Sequence, residues 1–297
     1  MSDRIKVCPV CGTDTFVPFL NGKDYFLSGE EFRIIRCENC GFRITDPIPG
    51  KDEIARYYES KEYISHDSGG NKIMNLVYKT ARYFTVRSKF RLVKRFTSGS
   101  IILDIGCGTG EFLGQCAAGG FDCYGIEPNR KAREFAISHH HLRVKPDVSF
   151  DDAENAMYDC ITMWHVLEHI HDLNGTLGSV KKALKNTGIL ILALPNPDSW
   201  DSVYYREHWA AYDLPRHLYH FSSGHISELA KKHGFVLKKI LPQYLDAFYI
   251  SMLSENYQRG RKDFVRGIFN GLRSNLHAPE PSFGYSSHIY ILSANFS

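Results

Sequence analysis

Apolar and polar positions follow a regular pattern over the middle of the chain. Ile101–Ile105 is a short apolar run leading into glycines, and Glu111–Gly119 has helical spacing. Cys123–Glu127, Tyr158–Trp164 and Gly188–Leu194 read as further strands, with helices at Asn129–His139 and Leu173–Leu184 between them. Alternation of this kind predicts an α/β fold, a parallel, doubly wound sheet with helices on both faces. A helix at Gly224–His233, a strand at Val236–Leu241, a helical stretch from about Asp246 and a strand at His288–Ser293 complete the pattern.

The flanks differ in texture. Before residue 51 the strand candidates FVPFL and EFRIIRC stand beside Gly and Pro turns, and TDPIPG closes the segment. Residues 51–98 read as two helices, KDEIARYYE and NKIMNLVYKTARYFTVRSKFRLVKRF, parted by an HDSGG turn. After Pro195 periodicity stops over PNPDSWDSVYYREHWAAYDLPRHLYHF, and loops of that length in compact domains usually carry function. The expected organisation is a small module at 1–50, a helical linker or cap at 51–98 and a main domain at 99–297, with a long functional loop at 195–222.

Composition narrows the class. With 43% hydrophobic and 23% charged residues, the 297-residue chain reads neither as disordered nor as a membrane bundle. No run reaches the ~18 apolar residues of a membrane span, and MSDRIKVCPVCG has no apolar signal core. The 36 Lys and Arg against 33 Asp and Glu leave a net charge of +3, which gives no general case for nucleic acid. Four of the eight cysteines sit in two CxxC pairs, a pattern that in a cytoplasmic protein, the expected setting, points to metal. Cys8, Cys11, Cys37 and Cys40, each pair followed by glycine, fit a closed tetrahedral zinc site with a structural role. The spacing disfavours iron–sulfur, and neither pair sits in the βαβ setting of a redox motif. Cys107, Cys116, Cys123 and Cys160 belong to the sheet domain, where packing is the ordinary role.

Gly106, Gly108 and Gly110 follow a strand and open a helix, so backbone amides there can approach a ligand beside the positive helix end. Glu127 ends the next strand, where an acid suits the two hydroxyls of a ribose. A phosphate loop would need a lysine after the glycines, and a dinucleotide site would need GxGxxG; neither is present. Asp104, two residues before the first glycine, would repel a pyrophosphate but suits the ammonium of S-adenosylmethionine. A glycine turn that only packs strand on helix is the bland alternative.

LDIGCGTGEFL followed by YGIEP resembles motifs I and II of class I S-adenosylmethionine-dependent methyltransferases, and the likeness extends over about residues 85–297. YDCITMWHVLEHIHD resembles that family's fourth-strand motif and LKNTGILILALPNP its fifth strand. WAAYDLPRHLYHFSSGHISELAKKHGF resembles a small-molecule subgroup, often with zinc-ribbon N-termini and often found among glycan or surface-polymer biosynthesis proteins. The resemblance implies a Rossmann-like, seven-stranded sheet. It implies that Gly106, Cys107, Gly108 and Gly110 line the cofactor, that Asp104 faces its amino group and that Glu127 takes the ribose hydroxyls. Pro128 and Asn129 would flank the adenosine, and Trp164 and His165 would border the departing methyl. Asp147 is the candidate adenine-side acid, with Asp151 or Asp152 as alternatives.

Methyl transfer to a hydroxyl needs a nucleophile in line and a proton acceptor, and imidazole titrates in the right range. His165, His169, His217 and His220 lie in loops after strands four and five, where open α/β sheets bind ligands. The catalytic candidates are His217, His165 and His220, with His217 the most suited to approach an acceptor and Arg216 orienting an acid or phosphate on it. Against this, Arg216 could pair with Asp213 and the histidines could fill the core. His165-x-x-Glu168-His169 also matches a zinc-protease pattern, but no third ligand follows at a recognisable spacing. Arg87, Arg91, Lys94 and Arg95 share one helical face in a stretch without acids, which suits RNA, a nucleotide-sugar diphosphate, anionic lipid or only water. The expected activity is O- or C-methylation of a small acceptor, a sugar, nucleotide sugar or glycan precursor. The alternatives are RNA methylation and a non-catalytic cofactor-binding scaffold.

Overall fold

The computed structural model describes residues 5–58, 72–147 and 155–294. The HDSGG turn and the candidates Asp151 and Asp152 lie outside these residues. Strands β1 (Phe16–Lys23), β2 (Glu31–Cys37) and β3 (Arg43–Asp46) form an antiparallel meander above the cysteine knuckles. The segment expected as the helix KDEIARYYE holds only a 3-10 turn, Ile54–Tyr58. Tyr57 of that turn is buried against Phe32, so packing on the meander outweighs helix propensity there. Helix α1 (Lys72–Phe96) follows and stops before Thr97-Ser-Gly-Ser.

The main sheet is built from β4 (Ile101–Ile105), β5 (Asp122–Ile126), β6 (Arg143–Lys145), β7 (Tyr158–Trp164), β8 (Leu184–Pro195), β10 (Phe235–Pro242) and β11 (Ser287–Ala294). Its order is β10-β11-β8-β7-β4-β5-β6, with β11 running antiparallel to both of its neighbours and all the other strands pointing the same way. This is the Rossmann-like, doubly wound seven-stranded arrangement. β4 alternates its burial between two layers, since Leu103 and Ile105 enter one apolar cluster and Ile102 the other. One face is covered by α4 (Leu173–Ala183) and α6 (Ser223–Lys232) through Leu177, Val180, Ile226 and Leu229. The other is covered by α1, α2 (Glu111–Ala118) and α3 (Arg130–His140) through Val93, Leu113, Cys116 and Ala136.

The long loop is more ordered than its lack of periodicity suggests. It contains α5 (Trp200–Tyr205), two 3-10 turns and the two-residue strand β9 (Tyr219–His220). β9 pairs antiparallel with β3, so the loop supplies the fourth strand of the cysteine module's sheet. Phe42, Ile44, Leu218, Tyr219 and Phe221 accordingly belong to one buried cluster with the main sheet. Helices α7 (Tyr244–Arg259) and α8 (Phe264–His277) pack on each other beside α5. Among the described residues no helix is long and apolar enough to cross a membrane.

Candidate functional site

The carboxyl ends of β4, β5 and β7 lie side by side in the sheet, and the space above them is the candidate cofactor cleft. Gly106, Gly108 and Gly110 all have positive φ, at 74°, 57° and 84°. At Gly110 a Cβ would stand 2.9 Å from Ala136 Cβ and 2.7 Å from Leu142 Cδ1, so the glycine lets α2 pack tightly on α3. At Gly108 nothing lies within 4 Å of a built Cβ, so this turn of the backbone faces open space. The Gly108 amide donates to Glu127 Oε2 at 2.8 Å and the Asn129 amide to Oε1 at 2.8 Å, which aims the Glu127 carboxylate along the loop. Cys107 packs its sulfur against Gly125, and Pro128 is exposed where α3 begins. Asp147 is exposed just beyond the end of β6.

Asp104 is buried beneath the loop and accepts a 2.6 Å hydrogen bond from Thr162 Oγ1. Burial pushes its pKa up to about 7, against the lowering effect of Thr162 and of Lys89. Lys89 reaches in from α1, its ammonium 4.6 Å from the centre of the Trp164 ring. Burial lowers the Lys89 pKa, and Asp104 and Asp246 offset part of that. Arg82, two turns earlier on the same face of α1, pairs with Glu111 at the start of α2. The Trp164 ring is buried edge-on to Phe112, and its Nε1 has no hydrogen-bond partner among the described residues.

After β7 the chain turns sharply, with His165 at φ 57°, an uncommon conformation for a residue with a side chain. His165 Nε2 lies 3.1 Å from Asp246 Oδ2 and its Nδ1 3.6 Å from Glu168 Oε1. Burial would depress its pKa, but Asp246 and Glu168 override that and raise it to about 9, so the ring is a cation at neutral pH. Glu168 is only 1% exposed, and burial is outweighed by its neighbours, His165 first, which hold its pKa below the usual carboxylate value. His169 is held neutral, its pKa lowered to about 4 by burial and by nearby His217. The His169 and His217 rings meet edge to face at 4.6 Å.

The segment from Asp213 to His220 closes over this group. The Leu218 amide donates to the Glu168 carbonyl at 2.8 Å, and Tyr219 Oη to the His171 carbonyl at 3.1 Å. His217 Nδ1 bonds the Ala211 carbonyl at 2.9 Å, which leaves Nε2 facing Glu168 and Asp213. His220 is elsewhere: its Nε2 lies 3.2 Å from Thr45 Oγ1, and burial drives its pKa well down. Arg216 does not orient an acceptor. It is 4% exposed and spends its donors on Asp213, on Asp24 and on the Tyr57 carbonyl, with Phe26 against its face. The pairing with Asp213 was open to a sequence reading; Asp24, 192 positions away, was not.

In the small module the four cysteine sulfurs lie within 4.8 Å of one another, with Cys8–Cys40 at 3.6 Å and Cys11–Cys37 at 3.5 Å. The two knuckles repeat each other, the Gly12 amide donating to the Cys8 carbonyl and that of Gly41 to the Cys37 carbonyl.

A seven-stranded sheet of this order, with a glycine turn after β4 and an acid closing β5, defines a class I S-adenosylmethionine-dependent methyltransferase. Residues 79–240, more than half of the chain, match the methyltransferase-domain family, and the chain belongs to that family. No curated protein matches the sequence. Among solved structures, an S-adenosylmethionine-dependent methyltransferase from Archaeoglobus fulgidus is 21% identical, with 71% of this chain and 94% of that one covered and a TM-score of 0.48. Phosphoethanolamine N-methyltransferase 2 of Haemonchus contortus, in complex with S-adenosyl-L-methionine, is 15% identical, with 95% of this chain and 69% of that one covered and a TM-score of 0.53.

Sequence reasoning missed Lys89, Thr162 and Asp246. Lys89 reads as one more charge on a basic helix, and Asp246 as an ordinary acid in a helix's first turn. Only the fold brings them to Asp104 and His165.

Proposed function

We propose that the enzyme methylates a small molecule, a sugar or glycan precursor, at oxygen or carbon, in a pocket walled by β7, the 195–222 loop and the cysteine module. The observation that carries this reading is the enclosed polar group of His165, Glu168, His169, Asp213 and His217 beside the Trp164 end of the cleft. It is walled off by β9, Tyr58 and the module's own strand β3, which suits a small acceptor better than a polymer. The open space at Gly108 and the partnerless Trp164 Nε1 fit a bound cofactor. Gly106, Cys107, Gly108 and Gly110 would line it, Asp104 would meet its ammonium and Glu127 its ribose, with Pro128 and Asp147 toward the adenosine and Trp164 and His165 at the methyl. Bound there, S-adenosylmethionine supplies an electrophilic methyl on a sulfonium.

His165 is already charged and His220 lies in the strand pairing with the module, so His217 is the histidine through which the acceptor is activated. The four cysteines suit a structural zinc ion, for four thiolates around one centre leave no position for substrate. An RNA substrate is less well supported. Arg87, Arg91, Lys94 and Arg95 are exposed on α1, but Arg82 is tied to Glu111 and Lys89 is turned into the cleft.

Calorimetric titration with S-adenosylhomocysteine tests the cofactor assignment. Micromolar one-to-one binding is expected, abolished by Glu127→Ala and spared by His217→Ala; retention of tight binding by Glu127→Ala would overturn it. Transfer of a labelled methyl to a panel of nucleotide sugars, with a steep loss in His217→Ala, tests the acceptor side.

A further inference from the structure

The His165-x-x-Glu168-His169 pattern lacks a third ligand in sequence, yet the fold assembles a different trio from it. Glu168, His169 and His217 bring a carboxylate oxygen and two imidazole nitrogens within 4.8 Å of one another. His169 Nδ1 lies 2.9 Å from the Arg216 carbonyl, and His217 Nδ1 lies 2.9 Å from that of Ala211. A carbonyl only accepts, so each contact draws the ring proton to Nδ1 and leaves Nε2 with a free lone pair. Tyr58 Oη, 2.8 Å from His169 Nδ1, sits on the same bonded side of that ring. Beside the two rings stands Glu168, 1% exposed, and among the described residues neither of its oxygens has a hydrogen-bond partner. A carboxylate in that position is costly unless a cation meets it. The nearest nitrogen of His165, Nδ1, stands 3.6 Å off, and the ring's other nitrogen faces Asp246 at 3.1 Å.

We infer that Glu168, His169 and His217 form a binding site for a divalent first-row metal ion in the acceptor pocket. Two imidazoles and one carboxylate are a donor set for such ions, and the backbone carbonyls behind both rings are the usual outer partners of metal-binding histidines. His217 Nε2 is 4.0 Å from Glu168 Oε1, so a small inward rotation of the side chains brings both to a common centre. Asp213 Oδ2, 3.9 Å from the same nitrogen, is already engaged by Arg216 and stays in the outer shell. Three protein donors leave positions open for oxygen. The inference rests on the acceptor reading above and specifies it: the acceptor is a hydroxyl compound able to coordinate the ion, and His217 acts as a ligand. The ion acidifies the hydroxyl, whose proton passes to water. The acceptor oxygen then bonds the methyl carbon as the carbon–sulfur bond breaks, its electron pair remaining on sulfur, to give a methyl ether and a thioether.

The test uses the untagged full chain with its four-cysteine module loaded with zinc, and Mn2+ as probe, because Mn2+ is too hard an ion to displace zinc from thiolates. Electron paramagnetic resonance should show one bound Mn2+ per chain, with spin-echo modulations from directly bound imidazole nitrogen. Glu168→Gln, checked for folding by its melting curve, should weaken binding by more than the ~10–100-fold that loss of an outer partner costs. No bound Mn2+, or bound Mn2+ without nitrogen modulations, overturns the inference in the wild-type protein alone. Unchanged affinity in a folded Glu168→Gln does so as well. S-adenosylhomocysteine titrated into the same sample separates the outcomes: cofactor binding without Mn2+ binding leaves the methyltransferase reading standing and removes only the metal.

Discussion

A carboxyl group stripped of water is a weak acid, and Asp104 shows what that does to a cofactor site. Its pKa of about 7 comes from burial, with Thr162 and Lys89 pulling it down and Glu127 pushing it up. The folded value lies above the unfolded one, so the folded protein holds more protons between these values and is destabilised as pH rises through about 7. An ammonium group placed beside Asp104 reverses the preference and favours the anion. Binding of S-adenosylhomocysteine should therefore release close to one proton at about pH 6 and far less by about pH 8, with affinity rising between them. Calorimetry in buffers of different ionisation heat measures this directly. Binding with no proton release at about pH 6 would place the ammonium elsewhere. Asp104 and Glu127 were legible in the sequence because strand register and the glycine turn fix them locally. Lys89 was not, because its meaning depends on a helix folding back across the sheet from residues that precede it in the chain.

At the scale of elements, the 195–222 loop is the part of the fold that sequence pattern conveyed least. Helices and strands of the main sheet announce themselves by period, but this loop is held by single polar anchors with no period at all. Trp209 Nε1 donates to Asp201, Tyr205 Oη to Glu255, and Arg216 bridges Asp213 and Asp24. β9, two residues long, and β6, with Arg143 and Lys145 exposed, carry too few apolar side chains to register as strands. Both exist because a neighbouring strand offers them a ladder. Arg216 makes the strongest prediction here. Replacing it by Met leaves two acids facing each other in a buried site, and loss of one partner of a buried ion network costs about 3–5 kcal/mol. Urea unfolding of Arg216→Met should show that loss near neutral pH. The loss should shrink in acid as Asp24 and Asp213, both held below the usual carboxylate range by their neighbours, take up protons. A variant as stable as wild type would mean that water, not Arg216, satisfies Asp24.

For the molecule as a whole, the question is how far the cysteine module governs the rest. Against the main sheet it packs on one layer, while Phe32 and Ile34 pack with Tyr205, Trp209 and Ile250 of the loop and α7. Cys8, Cys37, Phe42 and Ile44 share an apolar cluster with Leu218, Tyr219, Phe221 and Ile226. Thr45 donates to the His217 carbonyl at 2.6 Å, and its amide to the Leu218 carbonyl at 3.0 Å. The glycine turn and α2 pack instead on the other face of the sheet, with Val93, Leu113, Cys116 and Ala136. With zinc held by the four cysteines as proposed, the first 50 residues could not replace it with core, since few of their apolar side chains beyond Ile34, Phe42 and Ile44 are fully buried. Stripping zinc with a chelator should therefore loosen β3, β9 and the 213–221 segment together while the β4–α2 half stays folded. Hydrogen exchange should rise in those segments, the melting temperature should fall, and affinity for S-adenosylhomocysteine should change little while methyl transfer is lost. Loss of cofactor binding along with zinc would show instead that the two layers unfold as one unit. The module would then stabilise the whole enzyme, and its effect on catalysis could not be separated from its effect on folding.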